Sequence, residues 1–198
     1  MLKLTQEQNN TEWTNLFGIF QKAKLINYYD MDALKEEISM SPCTMQEDLG
    51  TSYAGALLVH MNLTYALATR LAKLISGTFP INEISLAKVC CIMHLSKRYM
   101  FEPNNNEWEV KNRGLLFKFR EMEGSLKSGE RSALEALNNG VRLSVDEYEA
   151  ITSLDKDEDK VKKFPYVSML SVIVRQANEM AYAIENERFR KIKENTKK

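Results

Sequence analysis

The chain has 198 residues, of which 44% are hydrophobic and 27% charged, and it contains only 8 glycines and 4 prolines. This composition is that of a globular protein and excludes a disordered or low-complexity chain. Its 27 basic residues are matched by 27 acidic residues, so the chain lacks the basic excess with which nucleic-acid-binding proteins neutralise phosphates.

The N-terminal segment 1–40 predicts two helices, which we expect to pack on the core of the domain. Apolar residues recur at helical spacing from Trp13 to Ala23 in the first helix. The second helix follows Asp30 and ends at Ser41, because a residue that precedes a proline avoids helical backbone angles.

Two longer helices follow and form the predicted centre of the domain. The third has a wide apolar face from Leu57 to Ile75. Asn82 can cap the fourth, which extends to about Ser96. Residues 87–93 of this fourth helix are apolar on nearly every side, which is typical of a helix buried centrally.

The pattern changes between residues 99 and 111. Apolar residues alternate there on either side of a run of three asparagines, with Phe101 in the first predicted strand and Trp108 and Val110 in the second. This alternation predicts a small β-hairpin inserted around 99–111.

Helical spacing returns in the last third of the chain. One helix begins near Ser128 and stops at Gly140, and Ser144 with Glu147 forms the capping box of the next. The charged stretch 155–163 predicts a loop before a long final helix.

These elements predict the all-α class, with one helical domain over residues 1–198 and the small β-hairpin as an insertion. The C-terminal segment 186–198 is locally basic. We interpret it as a solvated helix end, where cations complement the helix dipole, and we do not expect nucleic acid as a partner.

Cysteine usage and apolar stretches predict a cytoplasmic protein. Cys43, Cys90 and Cys91 give an odd number of cysteines without metal-type spacing. The first residues, MLKLTQEQNN, lack the apolar stretch of a signal peptide. No window approaches the 18 or so apolar residues of a membrane span. We therefore expect no membrane partner and a reducing, cytoplasmic environment.

The chain contains two histidines, His60 and His94, each in an apolar helical segment. A histidine in such a place is usually a hydrogen-bonded core residue. The segments around them favour a second interpretation. Four segments occur in order along the chain: GALLVH (55–60), CIMHLSK (91–97), SGERS (128–132) and QANEMA (176–181).

These segments resemble the "GLLxH", "LLHDxxK", "HGExS" and "ADxxA" motifs of the HD-domain metal-dependent phosphohydrolases, and the resemblance covers about residues 40 to 190. It implies an HD-domain-like helical bundle. In that family a histidine, an adjacent His-Asp pair and a late aspartate bind a divalent metal. Carried over, the two imidazole ligands are His60 and His94, the aspartate of the pair falls on Leu95, and the late aspartate falls on Asn178.

Other positions of the resemblance also depart from the family. Two further family histidines fall on Ser128 and near Leu154. Three cations remain that we expect to meet an anion: Lys97, Arg131 and Arg175. Two acids, Glu130 and Glu185, are expected in structural hydrogen bonds or ion pairs.

The site that the resemblance implies has lost its anionic ligands. Two neutral imidazoles and one amide bring no formal negative charge to a dication, and Leu95 has no donor atom. Without the metal no bound water is acidified for attack on phosphorus. We therefore expect no metal cofactor and no catalytic residue, with His60, His94, Leu95 and Asn178 as vestigial metal-site positions.

Two functions stay open. The first is a catalytically inactive HD-domain-like protein that acts by binding. Its ligand is a small phosphorylated molecule, such as a nucleotide or phosphate, in the pocket between the helices that bear His60, His94 and Asn178, with Lys97 and Arg131 as the anion-binding residues. Alternatively, its outer surface binds a protein partner or a second copy of itself. The second is a metal-dependent phosphohydrolase with a rearranged site, in which an acid such as Glu130 helps to hold manganese, nickel or zinc.

Overall fold

A computed structural model describes residues 4–153 and 167–196 of the chain. The predicted loop at 155–163 and Leu154 lie outside these residues. The helices are α1 (Gln6–Lys22), α2 (Met31–Met40), α3 (Ala56–Ile75), α4 (Glu83–Ile92), α5 (Lys97–Met100), α6 (Glu107–Arg113), α7 (Ser128–Asn138), α8 (Val145–Thr152) and α9 (Met169–Thr196). A two-stranded antiparallel sheet pairs β1 (Phe101–Pro103) with β2 (Phe117–Phe119). The prediction of an all-α protein with a small β element is confirmed.

Side-chain caps fix the starts of several helices. Asp30 accepts hydrogen bonds from two main-chain N–H groups at the start of α2, and Asn82 does the same at the start of α4. Ser144 and Glu147 form a reciprocal capping box at the start of α8. Each cap satisfies N–H groups that have no partner inside their helix.

The core lies around α4, which is surrounded by other helices. It packs against α1, α3 and α8, while α3 and α9 form the most extensive helix pair. The run Leu86 to Met93 is buried apart from Lys88, in agreement with the predicted central helix. This helix ends at Ile92, about four residues before the predicted end. Across the described residues, no helix is long and apolar enough to cross a membrane.

The second strand of the β-hairpin was predicted in the wrong place. Trp108 and Val110 lie in α6, and the strand that pairs with β1 is β2. The reason is the asparagine run: Asn106 caps α6 by accepting a hydrogen bond from Glu109 N, so the asparagines begin a helix where a turn between strands was expected.

The basic C-terminal segment forms local ion pairs in its described part. Arg190 and Lys191 both pair with Glu187, and Lys193 Nζ lies 3.8 Å from a carboxylate oxygen of Glu47. These three cations are therefore matched by nearby acids.

The contact between Gly50 and α9 gives a test of this packing. Gly50 has φ +69°, and a Cβ there would lie 2.7 Å from Phe189 Cβ and 3.0 Å from the carbonyl oxygen of Glu185. We expect Gly50→Ala to lower the free energy of unfolding by about 3 kcal/mol, because left-handed strain and overpacking add.

The matched control is Gly124→Ala. Gly124 has φ +71°, but a Cβ there would meet nothing within 4 Å, so we expect only a strain cost of about 1 kcal/mol. Urea unfolding followed by circular dichroism measures both variants. Equal losses in the two variants would contradict the packing of α9 on this turn.

Candidate functional site

Three of the predicted metal-site positions meet in the centre of the bundle. His60 on α3 and His94, just after α4, are buried with ring centroids 4.8 Å apart. Asn178 on α9 lies between them: its Oδ1 is 2.9 Å from His60 Nε2 and 2.8 Å from His94 Nε2. These two hydrogen bonds join residues that are 118 and 84 positions apart in the sequence.

A buried carboxylate completes this cluster. Glu185 Oε2 lies 2.7 Å from His60 Nδ1, and the residue is only 6% exposed. Glu185 follows Asn178 by two turns of α9, so both side chains lie on the same face of that helix. The other carboxylate oxygen, Oε1, is buried without a hydrogen-bond partner in the part of the chain that the structure describes.

The hydrogen bonds of the cluster define where its protons lie. The amide oxygen of Asn178 can only accept, so the Nε2 atoms of His60 and His94 both donate to it. His60 Nδ1 is hydrogen-bonded to the carboxylate of Glu185. In this arrangement both Nε2 atoms carry hydrogen, so a metal ion that bound here would have to displace those protons.

His94 is held in its neutral form. Burial lowers its pKa well below the ordinary value, the nearby charges of Lys97 and His60 lower it further, and the hydrogen bond to Asn178 acts in the opposite direction. A cationic imidazole at this place would be a buried charge facing a neutral amide.

The donor set does not fit a hydrolytic dication. It offers two imidazoles and one neutral amide, while Glu185 is engaged at the outer nitrogen of His60. Leu95 is fully buried as part of the apolar core. No group of three or more His, Cys, Asp or Glu side chains suited to a metal ion occurs among the described residues.

Tyr182 connects the histidine cluster to the next layer of side chains. Its ring lies 4.1 Å from the His60 ring, and its hydroxyl accepts a hydrogen bond of 2.7 Å from Lys97 Nζ. The same ammonium group donates to the carbonyl oxygen of Cys43 at 3.3 Å. These partners of Lys97 are uncharged, so they leave its positive charge uncompensated.

A cleft of about 980 Å³ opens on the other side of Lys97. Its walls come from the segment 43–49, the short sheet, the loop before α7 and the first turns of α7. The lining includes five cationic side chains and, among the described residues, no acidic one. The cations are Lys97, Arg113, Arg120, Lys127 and Arg131.

The cations of the cleft differ in how they are held. Arg131 donates to the main-chain oxygens of Glu123, Gly124 and Leu126, each at 2.9 Å, and so fixes the loop that forms one wall. Arg113 pairs with Glu109 at 3.4 Å. Arg120 makes no ion pair with any described residue. The start of α7 adds the positive end of a helix dipole.

Two of the three cations predicted to meet an anion, Lys97 and Arg131, therefore lie in one cleft. The third, Arg175, pairs instead with Glu179 on α9 at 3.2 Å and does not line the cleft. Sequence reasoning missed the other three cations of the cleft: Arg113, Arg120 and Lys127. The misplaced strand hid that Arg113 precedes β2 and that Arg120 follows it. Ser128, at the position of a lost family histidine, lines the cleft, and its carbonyl oxygen accepts a hydrogen bond from Ser96.

Comparison with models of known protein families, with curated proteins and with solved structures finds no match to this chain. The interpretation of the cleft and of the histidine cluster therefore depends on their own geometry and chemistry.

The depressed pKa of His94 predicts how stability depends on pH. The unfolded chain takes up a proton on His94 near pH 6.5, whereas the folded chain resists it, so stability is lost as the pH falls below about 6.5. Between about pH 6.5 and 5.5 we expect the wild type to lose about 1 kcal/mol more of its unfolding free energy than His94→Gln. Urea unfolding at a series of pH values measures this difference. Parallel pH profiles would contradict a desolvated, neutral His94.

Proposed function

We propose that this chain is a non-catalytic protein with a frame similar to that of the HD-domain phosphohydrolases, and that it binds a small phosphorylated ligand in its cationic cleft. The observation that carries the proposal is the convergence of five cations on one cleft whose described lining contains no acid. A cleft of this volume suits a small ligand, and Arg and Lys are the usual donors to phosphate oxygens.

The resemblance to the HD-domain family is supported by the contact of His60, His94 and Asn178. The three residues come from three separate motifs, and they meet as metal ligands of such a family would. In that family the bound metal supplies Lewis-acid activation of water. Here the cluster is closed by its own hydrogen bonds, so its residues act as structural groups that join α3 and α9 to the end of α4.

The second candidate function is a phosphohydrolase with a rearranged site. It is favoured by the same contact of His60, His94 and Asn178. The acid that reaches the imidazoles is Glu185, however, and it contacts the outer nitrogen of His60. Glu130, the acid expected to assist, accepts a hydrogen bond from Lys127 N at the start of α7 instead. Neither carboxylate lies where Asn178 joins the two Nε2 atoms.

Anion binding in the cleft is tested with inorganic pyrophosphate as the probe, by isothermal titration at low salt. We expect Arg120→Gln to weaken binding about tenfold, because one charged donor to the anion is lost. The control is Lys111→Gln, which removes an exposed cation from α6 outside the cleft, and we expect it to change affinity less than about twofold. Equal losses in both variants, or no pyrophosphate binding by the wild type, would refute the cleft as the binding site.

The metal affinity of the histidine cluster is tested by placing a carboxylate at position 178. We expect Asn178→Asp to bind Mn²⁺, Ni²⁺ or Zn²⁺ at least about tenfold more tightly than the wild type, because an anionic oxygen then faces both imidazoles. Asn186→Asp, on an exposed position of α9, is the matched control and leaves metal affinity unchanged.

Metal binding and hydrolysis by the wild-type protein distinguish between the two candidate functions. Stoichiometric sub-micromolar metal binding by the untagged wild-type chain, together with phosphate-ester hydrolysis that His94→Ala abolishes, would establish the phosphohydrolase and remove the inactive-site proposal.

A further inference from the structure

The cationic cleft also has an extensive apolar lining. Met100 and Phe101 are buried at its base, while Leu49, Leu126 and Phe119 are 40%, 41% and 53% exposed. These apolar groups and the cations belong to one concave surface. A small inorganic anion would occupy the cations and leave this apolar surface in water, which is unfavourable in proportion to its area. The lining therefore suits a ligand that has an apolar body as well as a charged group.

The apolar part of the lining is mainly aliphatic and adaptable. It includes three methionines and three leucines: Met45, Met100, Met122, Leu49, Leu115 and Leu126. Methionine side chains adjust to irregular shapes, which favours a flexible alkyl chain. The two aromatic rings, Phe101 and Phe119, pack against each other with centroids 5.1 Å apart, so each already has a ring as a partner.

Part of the uncharged polar lining is already hydrogen-bonded within the protein. The hydroxyl of Thr44 is hydrogen-bonded to that of Thr51 at 2.8 Å, and the hydroxyl of Ser128 lies 3.1 Å from that of Ser96. A heterocyclic base is selected by fixed donors and acceptors at its edges. Two of the polar groups that line this cleft are committed to the protein itself.

We propose, on the basis of the binding function above, that the ligand is a single-chain anionic amphiphile: a phosphate monoester whose head group meets the cations while its alkyl chain covers the apolar wall. The wall is held in place before binding, because Arg131 bonds three main-chain oxygens of the loop that carries Leu126. A preformed wall reduces the ordering cost of binding a flexible chain.

The experiment compares butyl phosphate, octyl phosphate and octanoate, each below its aggregation concentration, by isothermal titration with the full chain. We expect octyl phosphate to bind at least about tenfold more tightly than butyl phosphate, because four added methylenes leave water. Leu126→Ser should reduce this gain several-fold, whereas the control Leu74→Ser, which changes an 82%-exposed residue of α3 outside the cleft, should keep it.

The outcomes separate this inference from the proposed function. If chain length has no effect while Arg120→Gln still weakens pyrophosphate and butyl phosphate binding, the cleft binds simple phosphates and the amphiphile is refuted. If octanoate binds as tightly as octyl phosphate, the phosphate head group is refuted. If neither pyrophosphate nor an alkyl phosphate binds the wild type, both this inference and the proposed function fail.

Discussion

The hydrogen bonds that Asn178 accepts from His60 and His94 are the contact on which the rest of the molecule depends. They join α9 to α3 and to the segment that follows α4 at the centre of the fold. A carboxylate at the same place would be a buried charge that requires a cation to balance it. The neutral amide requires none, so two buried imidazoles are satisfied by the protein alone. Burial, more than the bond to Asn178, keeps His94 neutral, because it lowers the pKa of the imidazole well below its ordinary value.

The same face of α9 links this cluster to the cleft. Tyr182 is one turn beyond Asn178, and Glu185 nearly one turn further, so the three side chains form a row. Glu185 bonds the outer nitrogen of His60, and the Tyr182 ring packs on the same imidazole. The Tyr182 hydroxyl then holds the ammonium group of Lys97. A buried polar cluster therefore positions a cation of the cleft through one intervening aromatic ring.

Much of the fold could be predicted from the sequence, because local signals and packing agree there. The caps at Asp30, Asn82 and Ser144 begin the helices where they were expected, and the apolar run in α4 is buried. The hairpin was misplaced because Asn106 serves equally well in a turn or as a helix cap, and only the pairing of β1 with β2 decides between them. That His60, His94 and Asn178 would lie together was expected only from the resemblance of their segments to the family motifs. The cleft as a whole could not be predicted. Arg113 and Arg120 flank a strand that was predicted in the wrong place, and the main-chain bonds of Arg131 that arrange the neighbouring loop leave no local signal in the sequence.

The distribution of charge supports the proposal that the ligand binds in the cleft and not at the histidine cluster. The chain is neutral overall, and several of its half-buried cations have acidic partners: Arg98 pairs with Glu135 at 2.7 Å, and Lys88 pairs with Glu147 at 2.9 Å. Lys97 and Arg131, in contrast, bond only uncharged oxygens in the contacts described above. Like charges gathered in one concavity repel each other and destabilise the free protein. An anion that enters the cleft offsets that repulsion, and an apolar chain attached to the anion removes the adjoining apolar surface from water. The relief of charge repulsion and the burial of apolar surface both support the proposed amphiphilic ligand.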